Sequence, residues 1–288
     1  MVGIGDDGAV ISKRNCPQIL SADVIVDQIH FSFKYSTPKE VGARAVVANC
    51  SDIYAMGGKP HSILVTLTAP KWLKDKQILD IAKGIKQEAK RAKVQILGGD
   101  LSGGECLTIS ITAVGDLIRS KPTTRDSAKV GDYLMLSGVV GGSLIGLESY
   151  QKKKTELKIN SDKIKIFQKT FRLPQPDYKK MENSFDYPIN AAIDVSDGLI
   201  SEVRRICNAS KVGAKLDLNV LNNQRPFKNL AIDLTRYFLE SGEEHVLLVT
   251  SPKLIPGWIE IGRVIKSSGQ IWVDGEKISE QDFPGFRH

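Results

Sequence analysis

At 288 residues the chain is long enough for two domains, each with its own core. A hydrophobic share of 41% and a charged share of 25% are those of an ordinary soluble globular protein, and no run nears the roughly 20 apolar residues that span a bilayer. The first ten residues already hold Asp6 and Asp7, which argues against a signal peptide, so the expected location is the cytoplasm. Much of the net charge of +7 gathers in Lys152, Lys153, Lys154, Lys158, Lys163, Lys165 and Lys169, with little aromatic interleaving. That pattern reads as a solvated helical face and only weakly as a nucleic-acid surface. Cys16, Cys50, Cys106 and Cys207 are widely spaced, without a CxxC pair, and read as buried reduced thiols.

Residues 2–11 surround a Gly5-Asp6-Asp7-Gly8 corner that leads into a short strand. The run 18–26 predicts a second strand, ending in Asp27-Gln28-Ile29-His30-Phe31. Residues 38–56 predict a helix with Pro38 in its first turn. The β-branched run 62–68 predicts a strand closed by Pro70. Between 76 and 93, Ile78, Ile81, Ala82, Ile85 and Ala89 recur at the period of an amphipathic helix. Residues 94–100 predict a strand that breaks at Gly98-Gly99 and delivers Asp100. Leu107, Ile109, Ile111 and Ala113 alternate with polar residues, as in a half-buried antiparallel strand. The polar, proline-bearing stretch 119–125 sets a boundary near 118, giving domains 1–118 and 119–288. The second opens with a strand at 131–138 and a Gly-rich helix start at 139–147. The run 191–199 leads into an amphipathic helix carrying Leu199, Val203, Ile206 and Cys207. Strands at 215–218, 246–250 and 258–265 and a helix at 230–239 complete the pattern. Strands and helices mix without regular βαβ alternation, so the expected class is α+β, with a mixed N-terminal domain.

Five stretches set aspartate against glycine or small residues: Gly5 to Gly8, Ser21-Ala22-Asp23, Asp52 ahead of Gly57-Gly58, Gly98-Gly99-Asp100, and Asp194-Val195-Ser196-Asp197-Gly198. A carboxylate among apolar residues must be paired or metal-bound, because burying it bare costs too much. For Asp52 the plain alternatives are a helix cap or a pair with Arg44. Its company points to divalent metal and phosphate. Magnesium takes oxygen ligands, usually one or two carboxylates joined by substrate phosphates. Asp7, Asp23, Asp52, Asp100 and Asp194 suit two or more such ions. Calcium is the alternative metal, although no EF-hand loop is present. Gly5, Gly98, Gly99 and Gly198 let backbone N–H groups face phosphate oxygens. P-loop, protein-kinase and Rossmann signatures are absent, as is G-x-S-x-G. Histidine is scarce, and His30, at a strand edge, reads as structural on its own. Phosphoryl transfer to an oxygen that is already anionic needs no general base, only charge neutralisation and alignment.

In this order, Gly3-Ile4-Gly5-Asp6-Asp7-Gly8-Ala9, Ser21-Ala22-Asp23 with His30-Phe31, the run from Ala48 through Asp52 to Gly57, Gly98-Gly99-Asp100, and the Arg125 to Asp132 segment form one series. Ile193 to Leu199, Gly242-Glu243-Glu244 and the terminal Pro284-Gly285-Phe286-Arg287-His288 continue it. Together they resemble the thiamine-monophosphate kinase family, within the aminoimidazole-ribotide-synthetase-like superfamily of ATP-dependent enzymes. The resemblance covers nearly the whole chain and implies transfer of the γ-phosphate of ATP to thiamine monophosphate, giving thiamine diphosphate. It implies Asp7, Asp23, Asp52, Asp100, Asp194 and Asp197 as magnesium ligands, assisted by Ser21 and the main chain at Ala22, with Asp52, Asp100 and Asp197 central to catalysis. Gly99, Asp100, Arg125 and Ser196 would contact ATP, and His30 and the stacked ring of Phe286 the thiamine phosphate. It also implies a homodimer whose N-terminal domains pair their strands into a β-barrel beside the ATP site, and a C-terminal α/β sandwich that completes the active site.

The chain departs from the family pattern at three places. The family normally carries a helical segment ahead of the Gly-Asp-Asp corner, Ala22 stands where threonine is usual, and Val246 stands where an acid near the thiamine ring is usual. Two other readings stay open: a same-superfamily enzyme with a different acceptor, and a catalytically weak nucleotide-binding dimer. A selenophosphate branch expects a reactive N-terminal cysteine, which Cys16 fits poorly, and a hydrogenase-maturation branch expects a C-terminal one, where Arg287-His288 stands.

Overall fold

The computed structural model describes residues 15–151, 159–279 and 282–283. The Gly5–Gly8 corner with Asp7, the lysines at 152–154 and 158, and Phe286 lie outside the described residues. The chain divides into two compact units, Met1–Pro122 and Thr123–His288.

In the first unit, β1 (Gln18–Val26), α1 (Pro38–Ala55), β2 (Gly58–Ala69), α2 (Asp75–Ala92), β3 (Gln95–Gly103) and β4 (Thr108–Leu117) follow in order. Their sheet runs β1-β4-β2-β3, with β1/β4 and β4/β2 antiparallel and β2/β3 parallel across α2. Helix α1 starts at a capping box: the Glu40 N–H donates to Thr37 Oγ1 at 3.3 Å, and the Thr37 N–H donates to Glu40 Oε2 at 2.8 Å. It stops at Met56, where Gly57 takes a φ of 79° that a side chain would resist. Every residue from Val41 to Ser51 is buried, which explains why the run is small and apolar all round. Helix α2 keeps the predicted amphipathic face, burying Ile81, Ile85 and Ala89.

The two helices meet almost backbone to backbone. A Cβ added to Gly84 would lie 1.9 Å from the Lys39 carbonyl oxygen, and one added to Gly42 2.1 Å from that of Ile81. Gly84→Ala is therefore expected to destabilise the protein by about 1–3 kcal/mol, the usual cost of overpacking. Urea denaturation reads this directly, and an unchanged midpoint would show that the helices separate freely.

Two strand expectations change. The run expected at 62–68 already begins at Gly58, and the strand expected to break at Gly98-Gly99 continues to Gly103. The glycines serve the sheet: a Cβ on Gly99 would fall 1.7 Å from the Val65 carbonyl oxygen, beside a register shift at Ile63/Leu64. One sheet face is covered, with Ile63, Ile109, Ile111 and Ala113 buried. By register Ser21 and Asp23 belong to that face. The other face carries Leu20, Val24 and Leu64, which are 68%, 47% and 40% exposed.

The second unit runs β5 (Tyr133–Leu136), α3 (Gly142–Gln151), α4 (Ser161–Arg172), α5 (Tyr178–Asn183), β6 (Ala191–Asp194), α6 (Leu199–Ser210), β7 (Gly213–Leu216) and α7 (Asn219–Asn222). It ends with α8 (Thr235–Glu240), β8 (Leu247–Ser251), β9 (Ile259–Ile265), β10 (Ile271–Val273) and β11 (Glu276–Ile278). These strands form one mixed sheet in the order β11-β10-β7-β9-β5-β8-β6. Leu134, Leu136, Phe167, Val203, Ile206, Phe227 and Phe238 sit in one core cluster. The helix expected over 230–239 forms only as the short α8, because the chain ahead of it is turn and bend. Helix α4 buries Ile164, Phe167 and Phe171 and exposes Lys165 and Lys169, so the described part of the lysine stretch is a solvated face. Of the cysteines expected inside, Cys50 and Cys207 are buried, whereas Cys16 is half-buried and Cys106 exposed. Burial pushes both inner thiols well above the ordinary range, which keeps them protonated and inert. Among the described residues no helix is long and apolar enough to cross a membrane.

Candidate active site

The first acidic corner forms where β1 passes the end of α1. Ser21 donates its hydroxyl to Asp52 Oδ2 at 2.5 Å, and the Asp23 N–H donates to Asn49 Oδ1 at 3.0 Å. Asn49 is itself pinned one turn back, its Nδ2 donating to the Ala45 carbonyl at 2.9 Å. The α1 period brings Asn49 and Asp52 to the same side, three residues apart, facing the strand. The last turn of α1 carries no basic residue, so the negative end of the helix adds to Asp52 and favours a cation there. Asp23 is exposed beside them. A hydroxyl and two carboxylates at a helix C-terminus are hard oxygen donors, the set magnesium prefers. His30 sits in the turn after β1, where its Nδ1 accepts from the Val26 N–H at 3.1 Å. That bond fixes a neutral tautomer with the proton on Nε2.

Asp100 does not join this corner within one chain. Its register partners are Thr66 on β2 and, through it, Ser110 on β4 and Val24 on β1, all on the exposed face. It also lies on the opposite edge strand from Ser21 and Asp23, three strand spacings or about 14 Å away. Ala22 shares the exposed face, so its methyl adds nothing to the corner around Asp52.

In the second unit the loop after β6 is laid against the loop before β8. The Val195 N–H donates to the Val246 carbonyl, and the Glu243 N–H to the Ser196 carbonyl, both at 2.8 Å. Gly242 permits the approach, since a Cβ there would meet the Ser196 carbonyl oxygen at 2.0 Å. This places Asp194, 5% exposed, against the His245 ring, with Oδ2 and Nδ1 3.1 Å apart. Asp197 is bound otherwise: Arg205 Nη2 donates to its Oδ2 at 2.5 Å while Nη1 donates to Glu202 Oε1 and Oε2 at 2.7 and 2.8 Å. Burial pushes the Glu202 carboxyl up to about 7, although the Arg205 guanidinium pulls the other way. Among the described residues no group of three or more His, Cys, Asp or Glu side chains could hold a metal ion, so neither Asp194 with Asp197 nor Asp23 with Asp52 forms a metal cage on its own. Replacing His245 by Phe removes one bond from a buried carboxylate and is expected to cost about 1–3 kcal/mol in a urea titration. His245→Asn, which keeps a donor, is expected to recover part of that loss.

Arg125 is placed away from Ser196. Its carbonyl accepts from the Ser210 hydroxyl at 2.8 Å, at the last residue of α6, roughly 16 Å of helix from the Asp197 end. Four site features were assigned no role from the sequence: Asn49 and Glu244, although both stand inside the family-like stretches, the His245–Asp194 contact, and the Arg205 fork. The Oε1 of Glu244 accepts from the N–H groups of Gly141 and Ser143 and from the Ser241 hydroxyl, at 3.0, 2.8 and 2.6 Å. Motif membership pointed to Asn49 and Glu244, and the Glu202–Arg205 spacing of one helical turn could have flagged the fork.

The comparisons with known proteins agree over both units. The AIR synthase related protein N-terminal domain matches residues 5–117, and the C-terminal domain of the same family matches residues 129–270. The thiamine-monophosphate kinase of Mycobacterium tuberculosis is 32% identical over 283 residues, spanning 96% of this chain and 83% of the relative. The structure of AaThiL complexed with AMPPCP and TMP superposes with a TM-score of 0.83 at 29% identity, over 99% of this chain and 91% of that one. The thiamine-monophosphate kinase of Stenotrophomonas maltophilia superposes with a TM-score of 0.85 at 25% identity, over 96% of this chain and 92% of that one. On sequence and fold alike, the chain belongs to the thiamine-monophosphate kinase family of AIR synthase related proteins.

Proposed function

We propose that this chain is an ATP-dependent thiamine-monophosphate kinase, moving the γ-phosphoryl group of ATP onto the phosphate of thiamine monophosphate. One observation carries the reading: a relative solved with AMPPCP and TMP shares the fold over 99% of this chain. The oxygen-only corner at the end of α1 supports it. Asp52, Ser21 and Asp23 would hold magnesium, with Asp7 assigned by family resemblance alone. Bound there, the ion would neutralise phosphate charge, the main requirement when both reactants are polyanions. The acceptor oxygen is already anionic, so the chain need only bind, align and exclude water. His30, protonated on Nε2, suits a phosphate oxygen of the acceptor, and Phe286 is assigned to its ring. Incubation with ATP, magnesium and thiamine monophosphate, followed by product analysis, is expected to yield thiamine diphosphate. A second reading keeps ATP but changes the acceptor; it is favoured by Val246, a buried aliphatic residue where the family carries an acid. ATP turnover only with another phosphorylated acceptor would replace the first reading by the second.

The proposal includes a homodimer. Among the described residues of the first unit, one sheet face and two edge strands are uncovered, and that face carries both Asp100 and the exposed Leu20, Val24 and Leu64. Closing such a sheet with a second copy removes its edges and buries its aliphatic face. It also places Asp100 and Ala22, both on that face, at the seam. Leu64→Asp, a charge in the middle of that face, is expected to shift the protein from dimer to monomer in light scattering. A wild-type monomer at micromolar concentration would remove the dimer from the proposal.

A further inference from the structure

The acids after β6 would be expected to need a divalent ion, yet the chain supplies a cation of its own. Asp197 lies two residues before α6, Glu202 one turn into it, and Arg205 one turn further, so the guanidinium reaches back over both acids. Both terminal nitrogens are engaged: Nη2 on Asp197 and Nη1 on both oxygens of Glu202, while the Asp197 N–H donates to Glu202 Oε1 at 3.2 Å. Glu202 is fully buried and so depends on this charge, whereas the Arg205 side chain is 43% exposed. A magnesium ion on Asp197 would need near-octahedral oxygen geometry and would sit within a few ångström of a fixed positive charge. Asp194 cannot supply the missing partner easily, because it is held on a different side chain, His245.

We propose that Arg205 is a built-in counter-cation that takes the place of a divalent ion at Asp197. Asp197 then acts through Arg205 rather than through a metal ion of its own. The open edge of the guanidinium is left to address phosphate oxygens, which a planar cation does well. The inference rests on the phosphotransferase reading for its choice of probe.

The test counts bound Mn2+ per chain by electron paramagnetic resonance at saturating AMPPCP. Wild type and Asp197→Asn are expected to bind the same number. Arg205→Met is expected to gain one ion, and the double variant Arg205→Met/Asp197→Asn to lose it again. Arg205→Gln, which keeps a donor to Asp197 but no charge, serves if the methionine variant does not fold and carries the same expectation. Equal counts in wild type and the uncharged variant overturn the proposal, as does the loss of one ion in Asp197→Asn alone. Thiamine diphosphate formation by wild type, assayed on the same preparation, reports separately on the kinase reading.

Discussion

Asp52→Asn is expected to lower kcat by about a thousandfold or more while the protein stays folded. Both halves of that result follow from the contact with Ser21. The serine hydroxyl donates to Asp52 at 2.5 Å, and an asparagine carbonyl oxygen can accept the same bond. What asparagine lacks is the negative charge, which matters only if a cation is to be held there. Removing a preorganised electrostatic partner from a reacting centre typically costs about 100- to 1,000-fold, and losing a shared metal costs more. Steady-state kinetics at saturating magnesium and urea denaturation should be read together. Activity within tenfold of wild type would show that Asp52 is only a structural acceptor at the end of α1.

Glu244→Gln is expected to stabilise the protein at pH 8 relative to wild type, by an amount on the order of 3 kcal/mol, with little difference at pH 4. The carboxyl is buried, its Oε2 has no hydrogen-bond partner among the described residues, and burial pushes it up to about 7 from an ordinary 4.5. A raised folded-state value means that the fold favours the protonated form. The stabilisation is therefore complete below about pH 4.5, and it is lost as pH rises toward 7 and beyond. The 2.5-unit difference at about 1.4 kcal/mol per unit sets the size. Glutamine keeps an oxygen for the N–H groups of Gly141 and Ser143 and for Ser241, but it cannot ionise. Urea titrations of both proteins at pH 4, 6 and 8 would measure the slope. Parallel slopes would mean that water reaches Oε2 and that the acid ionises normally. Glu202 has a similar elevation, so some pH dependence is expected to survive in the variant.

The readable part of the fold was local. The alternation from Leu107 to Ala113 marked β4, the Ile78–Ala89 period marked α2, and Pro38 marked the first turn of α1. Errors fell where a contact distant in sequence overrode a local cue. Gly98-Gly99 looked like a strand end, but the β2 backbone packs against it and the strand continues. The run from 230 to 239 was apolar enough for a helix, yet only its last residues take that form.

The sequence by itself determined most of the strands and helices, where the aspartate corners lie along the chain, and the family. Backbone propensity and side-chain periodicity act within a few residues, and motif order needs no geometry at all. Only the tertiary structure decided what each carboxylate meets. Strand register turned Asp100 to the face opposite Asp23, α1 delivered Asp52 to Ser21, and Arg205 folded back onto Asp197. A side chain's partner depends on pleat, register and helix rotation, and a shift of one residue reverses the face that a strand residue occupies. Those quantities are set by packing between segments tens of residues apart, which no local pattern encodes.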